Sequence, residues 1–387
     1  VRGGGGPRVT GVVVVGAGIV GAACAWYLAR AGVEVTVLER DTVAGGTSSA
    51  GEGNILVSDK PPGPVLELAL WSRRLWHDVA AELGPAAIEF EPKGGVLVAE
   101  SASDLERVHR LIERQRAAGV DATELSADRL SQVEPRLAAG LAGGVFFPQD
   151  AQVQPMLATA HLLKGVDVRT GTEVCELRTG PSGEVTGVRT ADGTVIPAAA
   201  VVNATGVAGA DLAAQAGTRL PIEPRRGFIL VTEPLRGARE PAPIRHKVYT
   251  AGYADAVASG DPGLQTAAVI ESTRAGTVLI GSSRERRGFD DAYPVPVLRR
   301  LAAQAVALFP FLARVRVLRA FHGFRPYTPD HLPVIGPDPR VPGLWHACGH
   351  EGAGIGLAPA TGAMIAAMIT GDAPAVDPAP FSPARFR

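Results

Sequence analysis

The stretch that most constrains this sequence is Gly11–Val15 (GVVVV), which runs directly into Gly16-Ala17-Gly18-Ile19-Val20-Gly21. A continuous β-branched run predicts a strand buried on both faces, as in a parallel sheet. A helix is predicted over Ala22–Ala31, closed at Gly32, and then a second strand over Val33–Leu38 with Glu39 at its end. Each glycine has its own task in such a unit. Gly16 permits the tight turn, Gly18 lets backbone approach a pyrophosphate at the helix N-terminus, and Gly21 lets helix pack on strand. Ile19 and Val20 belong to the same turn. Glu39 stands where a carboxylate accepts the ribose hydroxyls of an adenosine, with Arg40 beside it. The order strand, turn, helix, strand, acid predicts a dinucleotide site, which a bare glycine-rich turn does not explain.

The residues after Glu39 bear on which dinucleotide is bound. Nicotinamide enzymes usually complete a second mononucleotide half here. This chain instead enters Asp41–Asn54 (DTVAGGTSSAGEGN), small and polar. Such a loop suits a longer cofactor, its pyrophosphate and ribityl chain held by Thr47, Ser48 and Ser49 with Gly51 close by; the alternative is a plain surface loop. Ala199–Gly206 (AAVVNATG) predicts another buried strand, whose end brings Ala204 and Gly206 to the same cofactor.

Size and charge narrow the class. With 387 residues, two domains are expected. The formal net charge is -1, so nucleic acid or an anionic membrane is not the expected main partner. Cys24, Cys175 and Cys348 show no metal-ligand spacing, no metal is expected, and a reducing cytoplasm fits. The N-terminal VRGGGGPR is basic and reads as flexible. The apolar run from Val12 reads as strand, turn and helix rather than as a signal peptide or membrane span.

GAGIVG with Glu39, the GGTSSAGEGN loop, VVNATG, Gly323–Gly336 (GFRPYTPDHLPVIG) and Gly349–Gly362 (GHEGAGIGLAPATG) together resemble the D-amino-acid oxidase superfamily of FAD oxidoreductases. The resemblance extends over about Val9–Gly371. Within that superfamily the chain looks most like the flavin subunits of bacterial opine, hydroxyproline and glycine dehydrogenases, which often carry GHEGxGIGL and an HKVY stretch, here His246–Tyr249. The implied fold is α/β: a Rossmann-type FAD-binding domain (9–85, 148–220 and 327–377) interleaved with a smaller, mainly antiparallel-sheet substrate domain (86–147 and 221–326). The implied reaction is oxidation of the C–N bond of an amino acid or secondary amine, such as a D-amino acid, glycine, hydroxyproline or an opine. Hydride passes to flavin N5, and the imine hydrolyses. Sarcosine oxidases attach flavin through a cysteine shortly before the TPD element. Gly323 stands there in this chain, so the FAD is expected to be non-covalent.

The second glycine stretch is expected to serve the flavin end. Gly352, Gly354 and Gly356 let backbone come close, with Ile355 among them. Pro359 is placed in the first turn of a helix over Ala360–Thr370 that Gly371 closes. The helix N-terminus would stabilise negative charge on the flavin N1/C2 region. On the substrate side, Arg325 is the expected carboxylate anchor, because a guanidinium binds a carboxylate bidentately; the alternative is an ion pair with Asp330. His350 and Glu351 either polarise the amine or cap the loop. Tyr249 and Tyr253 either line the substrate cavity or serve packing. Arg226 reads as exposed, and His322 and His331 as structural. Three scattered cysteines cannot hold a four-cysteine cluster, so an electron-accepting partner subunit would have to bring its own. The alternatives are a peroxide-forming amino-acid oxidase, a flavoprotein acting on a non-amine substrate, a nicotinamide dehydrogenase and a non-catalytic flavin-binding subunit.

Overall fold

The computed structural model describes residues 11–235 and 242–386; the glycine tail Gly3–Gly6 lies outside them. Val12–Val15 forms the expected strand, buried at every position. It runs parallel to Val35–Leu38 on one side and Ala200–Asn203 on the other, with Val12 in register with both Val35 and Ala200. The six-stranded sheet continues to Leu344–Cys348 and Val334–Pro337 beyond one edge, and to Asp167–Arg169 beyond the other. Only Val334–Pro337 is antiparallel to its neighbour. The two faces of Val12–Val15 meet different layers. Val12 and Val14 pack with the helices, while Val13 and Val15 pack under a small antiparallel sheet through Leu177, Val188 and Ile196. That small sheet contains a hairpin at Asp192-Gly193, where Gly193 adopts φ +88°.

The second large sheet has eight strands, drawn from 95–147 and 223–327, and all but one of its pairings are antiparallel. The helix Val295–Leu308 covers it, placing Val297, Leu301 and Ala305 against Phe228, Ile270 and Ile280. The fold is therefore α/β, a Rossmann-type parallel sheet interleaved with a mainly antiparallel one.

Two helices hold the parallel sheet together. Ile19–Arg30 begins three residues earlier than the sequence suggests, directly at the glycine turn. Against it packs Gly354–Thr370. A Cβ on Gly362 would stand 2.5 Å from the Ala23 backbone, so glycine is what permits this contact. The segment Glu351–Thr370 is long and apolar enough to cross a membrane, with mean hydropathy 1.6, but 67% of it is buried inside the fold. Gly371 closes the helix at φ +85°, as expected.

Pro359 corrects the sequence reading. It lies within the helix Gly354–Thr370 rather than in its first turn. Proline has no N–H, so the Ile355 carbonyl loses its i+4 donor. The neighbouring helix Pro64–Leu83 compensates. Trp76 Nε1 lies 3.1 Å from the Ile355 carbonyl oxygen and 3.2 Å from that of Gly356, and Ser72 Oγ accepts from Ala360 N at 3.2 Å. These bonds let the helix start early enough to present Gly354 to the cavity.

Candidate active site

A cavity of about 1000 Å³ runs between the two large sheets, lined by Gly18 and Glu39 near the first glycine turn and by Arg325 and Gly352 on the antiparallel side. At the first turn Gly16 adopts φ +106°, and a Cβ there would meet the Ala204 carbonyl oxygen at 2.6 Å. A Cβ on Gly21 would stand 2.0 Å from the Gly16 carbonyl oxygen. Backbone packing thus closes Gly16 and Gly21 to any side chain, while Gly18, whose Cβ would come 3.2 Å from Ser48 Oγ, lines the cavity with bare backbone. Gly18, Ile19 and Val20 face the cavity, whereas Gly21 is packed behind it, in the helix-to-strand role assigned to it.

Glu39 lines the cavity at the end of its strand, and its carboxylate accepts from Ala17 N (2.8 Å) and Asp41 N (2.9 Å). These bonds hold the acid beside the turn while carboxylate lone pairs remain for a ribose. Arg40 lines the same end. In the following loop Thr47–Ala50 makes a short 3-10 turn. Thr47 Oγ1 donates to the Phe324 carbonyl at 2.6 Å, and Ser48 Oγ accepts from Ile19 N at 2.9 Å. Thr47, Ser48 and Gly51 line the cavity, but Ser49 does not. Its hydroxyl donates back to the Gly46 carbonyl (3.0 Å), because the turn rotates it away. Ala204 and Gly206 line the opposite wall. Asn203 Oδ1 accepts from Thr205 Oγ1 at 2.8 Å and so shapes that strand end.

The second glycine stretch also reaches the cavity through Gly352, Gly354 and Ile355. Gly51 and Ile355 bring the two glycine segments together, for a Cβ on Gly51 would lie 2.8 Å from Ile355 Cδ1. His350 is buried, with Nε2 3.0 Å from Thr361 Oγ1. Thr361 gives its own proton to the Leu357 carbonyl, so its oxygen accepts from His350 and the Nε2–H tautomer is assigned. Burial pushes the His350 imidazole down to about 3, which keeps it neutral. Glu351 is paired with Arg225 Nη1 at 3.4 Å through Oε2; His331 Nδ1 lies 2.9 Å from Oε1, which has no hydrogen-bond partner among the described residues.

Arg325 stands in the cavity wall, and Asp330 pairs with Arg385 instead. Arg325 Nη1 donates to the Ser283 carbonyl at 2.9 Å, and no carboxylate among the described residues forms an ion pair with it. Burial, followed by the like charge of Arg284, pushes its guanidinium down to about 10, so it stays protonated at neutral pH.

Two sequence expectations are corrected here. Tyr249 is fully buried in the core, where its hydroxyl donates to Ser58 Oγ, and it does not line the cavity; Tyr253 does. Strand alternation turns Tyr249 inward, against the cluster made by Ser58 and Asp150. Arg226 is not exposed. It is 1% exposed and paired with Glu285 at 2.7 Å and Asp290 at 3.1 Å, because it points from its strand opposite to Arg225. His331, read as structural, stands with Nδ1 2.9 Å from Glu351 Oε1, and His322 lies among Phe228, Tyr293 and Phe324.

Other cavity residues escaped the sequence reading. Arg284 is 5% exposed and lies over the Tyr253 ring. It was hidden in Arg284–Arg287, where only strand alternation could single it out. Glu52 is buried, with Oε1 lacking a hydrogen-bond partner and Oε2 accepting from Asn54 Nδ2 at 3.1 Å. Lys247 bridges Glu52 (3.4 Å) and Glu271 (2.8 Å). Burial opposes charge on Lys247, but Glu271 and then Glu52 outweigh it and raise its pKa.

A glycine cradle, a ribose-side acid and a second glycine segment along one cavity find their match in known proteins. The family described as FAD dependent oxidoreductase matches residues 11–368. The chain belongs to this family. It is 31% identical to glycine oxidase of Geobacillus kaustophilus over 96% of each chain. It is 28% identical to hydrogen cyanide synthase subunit HcnC of Pseudomonas aeruginosa, covering 98% of this chain and 97% of that one. Among solved structures it resembles L-proline dehydrogenase from P. horikoshii, with a TM-score of 0.86, 26% identity and 98% of each chain covered. The family's group is FAD, and the cavity residues fit it: Gly18 brings bare backbone to the cavity at the start of the helix, and Glu39 lines it at the strand end.

Proposed function

We propose that this flavoprotein oxidises the C–N bond of a carboxylate-bearing amino acid or secondary amine. Arg325 carries the reading: a cavity guanidinium with most of its donors free and no ion-pair partner among the described residues. A free guanidinium fork matches a carboxylate bidentately, and anchoring that group fixes where the amine and Cα lie. His350 is neutral and positions the loop before Gly352 rather than transferring protons. Bound FAD supplies the two-electron acceptor, and the resulting imine hydrolyses in water.

The FAD is held without a covalent bond. A Cβ at Gly323 would already stand 2.4 Å from Ala50 Cβ, so the loop closes over the position where a cysteine would attach. Flavin should accordingly leave with the supernatant on acid precipitation. The cavity glycines, Glu39, Arg40, Thr47, Ser48, Ala204 and Ile355 form the cofactor side of the site.

The electron acceptor is a partner subunit. Support comes from the relative named as a subunit of hydrogen cyanide synthase. The experiment for the whole reading is an anaerobic screen of amino acids and secondary amines for bleaching of the bound flavin. Bleaching by a carboxylate-bearing amine, slow reoxidation in air and rapid turnover with a dye are expected. If no amine bleaches the flavin, amine oxidation is refuted. Rapid, stoichiometric peroxide formation would instead favour a self-sufficient oxidase.

A further inference from the structure

Three arginines on adjacent strands converge on one wall of the cavity. Arg225 lies on Glu223–Thr232 directly opposite Arg325 on Val317–Tyr327, and Arg284 ends Val278–Arg284 on the other side of that strand. Arg225 has an acid in Glu351. Arg284 and Arg325 form no ion pair with a carboxylate among the described residues. Among the described residues Arg284 reaches only Ser282 Oγ, at 3.4 Å, and the Tyr253 ring, 5.2 Å from the guanidinium carbon. Arg325 gives one N–H to the Ser283 carbonyl. Each guanidinium carries five donors, so most of both forks face the cavity unused. Glu52, an acid of the same cavity, is already engaged by Asn54 and Lys247.

Two like charges that repel each other, Arg284 buried and Arg325 half-buried, are costly to maintain unless a ligand answers both. One carboxylate answers one guanidinium. We propose that the substrate is an amino acid with two carboxylates, one held by Arg325 and the other by Arg284, with the amine between them. The class comprises N-carboxyalkyl amino acids, of which iminodiacetate is the smallest, and acidic amino acids such as D-aspartate. This assignment rests on the amine-oxidation reading above.

Glutarate and butyrate, which have no amine, separate binding from turnover. Titrated calorimetrically into the FAD-loaded protein, glutarate should bind about tenfold more tightly than butyrate, the worth of one additional charge-assisted pair. In Arg284→Gln the preference should collapse to about twofold, the loss falling on glutarate. Equal affinity for the two acids in the unaltered protein would overturn the proposal. So would an Arg284→Gln variant that weakens both acids alike, for then both arginines clamp one carboxylate. Should Arg284→Gln lose FAD or fail to fold, Arg284→Lys, which keeps the charge but not the fork, should show an intermediate preference, and an undiminished preference there counts against the bidentate contact. Flavin bleaching by iminodiacetate and by glycine completes the test. Bleaching by glycine with no glutarate preference refutes the second anchor and keeps amine oxidation. A glutarate preference with no bleaching by any amine refutes amine oxidation, and the substrate named here with it.

Discussion

Trp76 donates its indole N–H to the carbonyl of Ile355, the acceptor that Pro359 leaves without a helical donor. The bond joins the helix Pro64–Leu83 to the first turn of the C-terminal helix, and Ile355 itself lines the flavin cavity. Trp76→Phe keeps an aromatic ring but removes the donor. The cost of an orphaned buried carbonyl is about 1–3 kcal/mol. Urea denaturation should show that loss, and FAD should dissociate faster. Unchanged stability would mean that another group takes up the Ile355 carbonyl.

Gly227 makes room for Arg325, the proposed carboxylate anchor. A Cβ there would stand 2.1 Å from Arg325 Nη1 and 2.4 Å from the Ser283 carbonyl oxygen, the same pair that hydrogen-bonds across it. Gly227→Ala must therefore displace the guanidinium, at an overpacking cost of about 1–3 kcal/mol. The KM for carboxylate substrates should rise at least tenfold, roughly the 1.4 kcal/mol of a weakened charged contact. FAD content, measured by absorbance, should stay stoichiometric.

Arg325→Ala removes the proposed anchor outright. Losing one partner of a buried, hydrogen-bonded charge pair costs about 3–5 kcal/mol. Steady-state kinetics should show a greatly raised KM in a protein that is still yellow and folded. Undisturbed turnover of a carboxylate substrate would place the anchor elsewhere.

Glu39→Ala should weaken FAD retention. It deletes the acceptor of Ala17 N and Asp41 N as well as the ribose-facing carboxylate. A loss of about tenfold in affinity corresponds to one charge-assisted hydrogen bond. Fluorescence of released flavin on dilution measures it, and identical release from both proteins would make Glu39 a strand end only.

The burial of His350 predicts a pH dependence of stability. Its folded-state pKa is pushed down to about 3, against about 6.5 for a free histidine. As pH falls below about 6.5, the unfolded chain takes the proton first, so stability falls, by up to about 1.4 kcal/mol per pH unit, until the folded pKa is reached. The contribution is thus fully present above pH 6.5 and lost between about 6.5 and about 3. Buried Asp150, raised to about 6, acts in the opposite sense over part of that range, so the difference between two proteins is the useful quantity. His350→Gln keeps a donor for Thr361 and lacks the titration. Its melting temperature relative to the unaltered protein should rise as the pH is lowered from 7 to 4, and a pH-independent difference would contradict the assignment.

The turn and the acid that line the cavity were legible because they are local. Gly16, Gly18, Ile19, Val20 and Glu39 lie within one strand–turn–helix–strand unit whose backbone geometry follows from its own residues. The second glycine segment was legible for the same reason, since glycines that admit close backbone approach are visible one by one. Ser49 was misjudged because a 3-10 turn decides which of three consecutive hydroxyls faces inward. Tyr249 and Arg226 were misjudged because sidedness on a strand depends on which neighbours cover each face.

The sequence by itself determined the buried parallel strand, the glycine cradle, the acid after the second strand and the closing Gly371, because each depends on interactions within a few residues. The tertiary structure alone decided what those elements meet. It placed Trp76 under the carbonyl that Pro359 abandons, drew Asp330 away to Arg385 and set Arg284 beside Arg325 across the intervening strand. These are pairings between residues about 40 to 280 positions apart, and only the folded chain, by burying polar groups that must then find partners, selects among them.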